Sequence, residues 1–520
     1  MLGVAPELVR KHRRARVVKR RHVARPPADV APHEIEHSLK RGAIWAIGSQ
    51  VALQAIRFVG VVALARLLTP NDYGAAAFAI TLASFSMVLG DLGYGTALVQ
   101  AATASQRWAS TACWCALGAG AVGSGLAALG AYPVSLALGE PEVTGLVAAG
   151  GLTLLLVAAG SASNGLLTRS MRFDVIQSAT VIASVFATVC AIGAAALGAG
   201  AWALVLQQLV LAAVTSAVFI LAARWRPSFE FSRTAFRSLS RFAFPLTGGS
   251  GFNALQGLIT VLLVGHLLGI EELGIWNLSM AIVILPLSLL AAPISRVIYA
   301  AFARMRETPE RVAEVWLNGF TLVAAVVLPT LFGLIAVAPD LIPLVFGSQW
   351  VSAVPVVQIL CVLVMSRTLQ TWNTAVMDAA GKPHVAMLLN AAVLVGVVPG
   401  IWLGSAFGIE GAAVAFSLAS LICGEIPSFV LTTRELSLRR LAVLGRLRGI
   451  ALSCVAAGVA AVFVRQALED GGIGSEPRVL VSVIVGAAVY VSSLTLFARN
   501  VGRQVVRMGR DLRPALRSKG

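Results

Sequence analysis

Charge is what this chain lacks. Only 12% of its 520 residues are Asp, Glu, Lys or Arg, against 58% hydrophobic, and the mean hydropathy is +0.83. So few charges cannot coat a soluble globule of this length, so that class is excluded. Acids are the scarcer sign, with 24 Asp and Glu against 41 Lys and Arg. No loop offers the catalytic carboxylates of a membrane-bound glycosyltransferase, polymerase or ligase; the longest expected outer loop, near Gln466 to Pro477, holds only Glu469, Asp470 and Glu476. No glycine-rich nucleotide loop is found, which argues against ATP drive. The six cysteines (Cys113, Cys115, Cys190, Cys361, Cys423 and Cys454) all fall in apolar runs. They suggest neither a disulfide framework nor a zinc site, and Cys113-Trp114-Cys115 lacks a metal-knuckle spacing, so neither metal nor cofactor is expected.

Long apolar runs are abundant. Runs near twenty residues place membrane spans at about 43–66, 71–98, 109–138, 143–166, 175–197, 200–223, 242–268, 272–302, 315–338, 350–380, 384–405, 408–433, 449–466 and 478–498. The fold class expected is therefore all-α and polytopic, with about fourteen spans. Residues 1–42 are basic and proline-punctuated, with no apolar stretch before Ala43, so a tail and no cleavable signal peptide is expected there. With the amino terminus inside, 35 of the 41 Lys and Arg fall on cytoplasmic segments. The exceptions are Arg465 and Arg478 in outer loops and Arg57, Arg66, Arg296 and Arg367 in spans. That alternation places both termini in the cytoplasm of a cell (inner) membrane. The net charge of +17 is thereby topological, and nucleic acid is not an expected partner. Arg499, Arg503, Arg507 and Arg510 recur at helical spacing in the 499–520 tail and suit anionic lipid.

Two turns repeat at an offset of 200 residues: Leu67-Leu68-Thr69-Pro70-Asn71-Asp72-Tyr73-Gly74 and Leu267-Leu268-Gly269-Ile270-Glu271-Glu272-Leu273-Gly274. Each joins two apolar runs, and each offers helix-start chemistry, with Thr69 or Gly269 at the N-cap and an acid three positions on. Leu197-Gly198-Ala199-Gly200 and Phe407-Gly408-Ile409-Glu410-Gly411 form a second correspondence. The expected organisation is a lobe of six spans over 43–223, a linker over 224–241, and a second six-span lobe over 242–433. A further linker and two spans follow over 434–498. An even number of spans per lobe implies a parallel repeat about an axis along the membrane normal.

The run Leu64-Ala65-Arg66-Leu67-Leu68-Thr69-Pro70-Asn71-Asp72-Tyr73-Gly74, followed by Gly90-Asp91-Leu92-Gly93-Tyr94-Gly95 and Ala97-Leu98-Val99-Gln100, resembles the start of bacterial lipopolysaccharide and exopolysaccharide flippases. These form the polysaccharide transporter branch of the multidrug/oligosaccharidyl-lipid/polysaccharide superfamily. Leu167-Thr168-Arg169-Ser170-Met171-Arg172-Phe173, Gly198-Ala199-Gly200-Ala201-Trp202-Ala203-Leu204 and Asp378-Ala379-Ala380-Gly381-Lys382-Pro383 are similar to later segments of that family. The resemblance implies two lobes around a cavity open alternately to either face. It implies a polyprenyl-diphosphate-linked oligosaccharide as cargo, and polysaccharide assembly proteins as further partners.

Such a cargo needs cations inside the membrane, where they are otherwise costly. Arg57 in span 1 and Arg367 in span 10 are candidate diphosphate ligands, since arginine stays charged and bonds phosphate bidentately. The alternative for each is pairing with a carboxylate or snorkelling. Arg296, late in span 8, is either an interfacial anchor or a captor of the head group, and Arg66 holds the outer end of span 1. Asp91, Asp378 and Glu425, toward cytoplasmic ends of spans, are candidates for a gate or for ion coupling, with a helix break as the other reading of Asp91. Gln50, Gln54, Asn253, Gln256 and Asn277 can bond sugar hydroxyls or neighbouring helices. Gln50, Gln54 and Arg57 share one helical face. An ion-coupled multidrug exporter of the same superfamily is the competing function; span 1 carries Arg57 and no carboxylate, which favours an anionic cargo.

Overall fold

The computed structural model describes residues 32–89, 93–100, 105–285, 309–379 and 382–497. Among them no strand occurs, and apolar runs become helices because a helix alone satisfies a single segment's backbone polar groups in hydrocarbon. The first half comprises α1 (Pro32–Leu67), α2 (Pro70–Leu89), the short α3 (Tyr94–Gln100), α4 (Gln106–Leu138), α5 (Val143–Arg169), α6 (Phe173–Ala196) and α7 (Trp202–Ala223). The second half comprises α8 (Arg233–Leu268), α9 (270–285), α10 (Pro309–Phe346), α11 (Ala353–Ala379), α12 (Pro383–Gly404), α13 (Gly408–Ser420) and α14 (Ile426–Glu435). Helices α15 (Arg440–Asp470) and α16 (Ser475–Phe497) follow. Ten stretches among the described residues are long and apolar enough to cross a membrane, the longest covering His384–Glu435 and hence α12 to α14 together.

Three boundaries differ from the sequence reading. α1 begins at Pro32, ahead of the expected 43, and α8 begins at Arg233, so irregular linker is confined to 224–232. The expected second span is divided into α2 and α3, with Gly93 at φ 73 just before α3. Asp91 and Arg296 lie outside the described residues.

The halves pack alike. α1 lies on α6 in the first half and α8 on α12 in the second, while α4 lies on α5 and α10 on α11. The halves meet where α8 crosses α2 and α4, and where α10 reaches α1. Small residues allow the closest approaches, as at Gly160, where a β-carbon would lie 2.6 Å from Ser216 Oγ. One apolar core runs through both halves and holds Leu64, Tyr73, Leu273, Trp276, Trp316 and Trp350, all buried. α15 and α16 pair with one another and lie on α10.

Arg465 and Arg478, the two arginines in an expected outer loop, are accounted for by this docking. Both reach the buried Asp340 of α10, with Arg478 at 3.0 Å and Arg465 at 3.7 Å, and both also contact Glu469. All six cysteines are free, and no cluster of metal-binding side chains occurs among the described residues.

Candidate functional site

The two repeated turns lie against each other. A β-carbon on Gly74 would stand 1.8 Å from Ile270 O, and one on Gly274 would stand 1.8 Å from Pro70 O. Positions 70, 74, 270 and 274 thus form a reciprocal contact that only glycine permits. The first turn folds as its residues dictate: Thr69 N–H and Oγ1–H donate to Asp72 Oδ2 at 2.9 and 2.8 Å, and Asp72 N–H donates to Thr69 Oγ1 at 3.3 Å. That is a reciprocal capping box.

Side chains extend the contact. Arg66 Nε and Nη2 donate to Val345 O and Leu344 O, at 2.8 and 2.7 Å, at the C-terminal end of α10. His266, the residue 200 positions later, bonds Ala137 O at the C-terminal end of α4. Each half therefore sends a nitrogen donor to the exposed carbonyls that end a helix of the other. Gln349 and Trp350 add bonds to Ala65 O at 2.8 and 2.9 Å, and Tyr73 meets the Trp350 ring edge-on at 5.2 Å. This end of the bundle is sealed by backbone contact.

An apolar groove of about 790 Å³ lies between α1, α9, α10, α15 and α16 and reaches the seal at Val345 and Phe346. Gly333, Gly458 and Gly486 open it, Phe58 and Tyr490 line it, and Gln54 contributes a polar group. Gln54 is buried and Gln50 partly buried, and Arg57 lies one turn beyond Gln54 on the same polar face of α1. Arg57 is exposed, and among the described residues it has no hydrogen-bond or ion-pair partner. An unpaired guanidinium on a membrane helix is costly unless it meets water or an anion.

Arg367 differs. It is coupled electrostatically to Glu425, which is buried in a π-helical turn, Leu421–Glu425, between α13 and α14. Sequence reasoning named both residues and left pairing with a carboxylate open for Arg367, without saying which carboxylate. It missed the polar layer around them: Asn373 Nδ2 donates to Ser428 Oγ at 3.3 Å, Ser428 Oγ–H to Glu425 O at 2.8 Å, and Thr432 Oγ1–H to Asn373 O at 3.3 Å. A signal was present, since Arg367, Gln370 and Asn373 recur every three residues on α11, and Ser428 and Thr432 are four apart on α14. π-turns of this kind recur at functional sites.

The remaining candidates are dispersed. Gln256 is buried and Asn253 exposed on α8, and Asn277 on α9 is partly buried with its Nδ2 lacking a bond. α8 packs on α2, α4 and α12, and α9 borders the groove with α1 through Ile282 and Leu285. Asp378 lies near the end of α11, but its side chain is outside the described residues.

This two-part helical bundle is the fold of a membrane transporter. It superposes on the solved structure titled lipid II flippase MurJ, inward closed conformation, with a TM-score of 0.71 at 13% identity, covering 88% of this chain and 99% of that one. An inward-facing multidrug resistance MATE family transporter of the MOP superfamily gives 0.54 at 14% identity, covering 76% and 94%. The family profile described as "Polysaccharide biosynthesis protein" matches residues 63–355, and the chain belongs to that family. Among similar curated proteins, the succinoglycan biosynthesis transport protein ExoT of Rhizobium meliloti is 26% identical over 92% of this chain and 97% of its own length. The lipopolysaccharide biosynthesis protein WzxC of Escherichia coli is 25% identical over 75% of this chain and 80% of its own.

Proposed function

We propose that the protein is a flippase that moves a polyprenyl-diphosphate-linked oligosaccharide across the bacterial inner membrane, from the cytoplasmic to the periplasmic leaflet, by alternating access. The observation that carries this reading is the unpaired Arg57, next in the chain to Phe58 and one turn from Gln54, both of which line the apolar groove. A diphosphate would bond Arg57, the polyprenyl tail would lie along the groove between α1 and α16, and Gln50 and Gln54 would bond the first sugars. Membership of a polysaccharide biosynthesis family, and a relative named as a succinoglycan transport protein, support the same cargo class.

In this reading the arginine-rich segments and both termini face the cytoplasm, and the sealed turns face the periplasm. The conformation is then closed outward. The lobes are residues 43–223 and 242–433, and the Arg367–Glu425 pair lies inside the second as a charged contact that an alternating cycle breaks or keeps. Asn253, Gln256 and Asn277 serve sugar hydroxyls farther along the path.

Purified protein in liposomes should translocate a fluorescent polyprenyl-diphosphate sugar. Arg57→Gln should lower that rate at least about tenfold, the loss of one charge-assisted contact, at unchanged expression. Gly333→Leu should also lower it, by filling the groove. Wild-type protein that ignores this cargo yet exchanges a cationic drug for protons would overturn the reading in favour of a drug exporter.

A further inference from the structure

A second cationic site lies far from the seal. Gly200, just before α7, stands beside Asp72, where a β-carbon would be 2.7 Å from Oδ1, so α7 starts at the sealed end. Its 22 residues then run about 33 Å, to Arg224 at the opposite, arginine-rich end. There a recess of about 530 Å³ is lined by Arg172, Arg224, Val218, Leu221 and Ala222. Two guanidiniums share it, and no carboxylate lines it. The acid nearest in sequence, Asp174, starts α6.

The backbone around this recess is unusual. Only three non-glycine residues among those described have a left-handed φ, and two of them flank it: Met171 at 57° and Arg224 at 48°. Arg224 caps α7, with its N–H bonded to Leu221 O at 3.3 Å. Glycine is the usual residue for a left-handed cap, because a β-carbon strains it. Arginine at this position points to use of its side chain. Arg172 is likewise held in place, its Nη1 donating to Ala222 O at 3.0 Å. Beside the two cations, Leu221 is 74% exposed and Met171 66% exposed, which is an exposed apolar surface.

We propose that this recess binds the phosphate of an anionic membrane phospholipid, with the head group between Arg172 and Arg224 and an acyl chain along Val218 and Leu221. Two like charges over an apolar wall match an anion that carries its own hydrocarbon. The site is separate from Arg57 and its groove, and it rests on membrane placement alone, not on the identity of the cargo.

The test uses the full chain, purified and delipidated in detergent, with bound lipid counted by native mass spectrometry. Phosphatidylglycerol should bind the wild type, and Arg224→Gln should weaken that binding about tenfold, the loss of one bidentate contact. Arg224→Gly should weaken it equally while unfolding no earlier than wild type, since glycine suits φ 48°. That variant separates loss of the guanidinium from loss of fold. Equal binding by wild type and both variants, equal binding of phosphatidylcholine, or displacement of the lipid by equimolar inorganic phosphate would each overturn the proposal. So would a polyprenyl diphosphate probe that displaces phosphatidylglycerol in wild type but not in Arg224→Gln, because the recess would then belong to the cargo.

Discussion

The two repeated turns share a close glycine approach and differ in nearly every side chain that supports it. Both present a glycine to the carbonyl of the other, at Gly74 and Gly274. Both reach the end of a helix in the opposite half, but Arg66 does so through two bonds and His266 through one ring nitrogen. The first turn closes a capping box between Thr69 and Asp72, whereas in the second Glu272 has a buried Oε2 with no hydrogen-bond partner. The reason is local. Gly269 sits at φ 94, where threonine would be strained, so the second turn has no hydroxyl to offer. Close backbone approach is common to the two turns, and capping chemistry is not.

The largest break in this comparison comes at the shared feature. Gly74→Ala or Gly274→Ala would force a β-carbon to within 1.8 Å of a carbonyl oxygen, so the turns must separate. Overpacking of this kind costs about 3 kcal/mol. Either variant should lower the thermal unfolding temperature and let an impermeant maleimide label a cysteine at Leu273, which is buried in the wild type. Wild-type stability with no labelling would show that the seal does not depend on these glycines.

Next come the differing donors. Arg66→Ala removes two charge-assisted bonds, and allowing for its exposed setting, about 2 kcal/mol is expected. His266→Ala removes one bond, for about 1 kcal/mol. Denaturation of the two single variants and the double variant tests whether they are separate. Equal losses would erase the asymmetry, and a double variant no worse than Arg66→Ala would mean that one latch suffices.

Legibility in the sequence followed the range of the interactions. The Thr69–Asp72 box joins residues three apart, and Thr, Pro and Asp at those spacings announce it. The helical architecture was equally open to reading, because hydropathy alone demands it. Pairings across the fold were not. Arg367 and Glu425 are on different helices, and nothing local to either distinguishes a phosphate ligand from half of an internal pair. Asp340 was not singled out, although it holds both Arg465 and Arg478. The groove needs five helices to form, so no window of sequence contains it. Arg57 was readable as a cation in a span, but its lack of a partner is a property of everything around it.

The smallest expected effect tests the difference in capping itself. Thr69→Ala should cost about 1 kcal/mol, because alanine can neither accept the Asp72 amide nor donate to its carboxylate. Thr69→Gly recreates the residue of the second turn and should cost only a few tenths of a kcal/mol, roughly what glycine loses at an N-cap. The order of the two variants matters more than either value. If the box supports only the start of α2 and not the seal, both should leave Leu273 shielded, since the glycine contact remains. If Thr69→Gly instead exposes Leu273 as fully as Gly274→Ala, the first turn needs its cap to hold the approach. The second turn would then hold the same approach with Glu272 uncapped by means the first turn lacks.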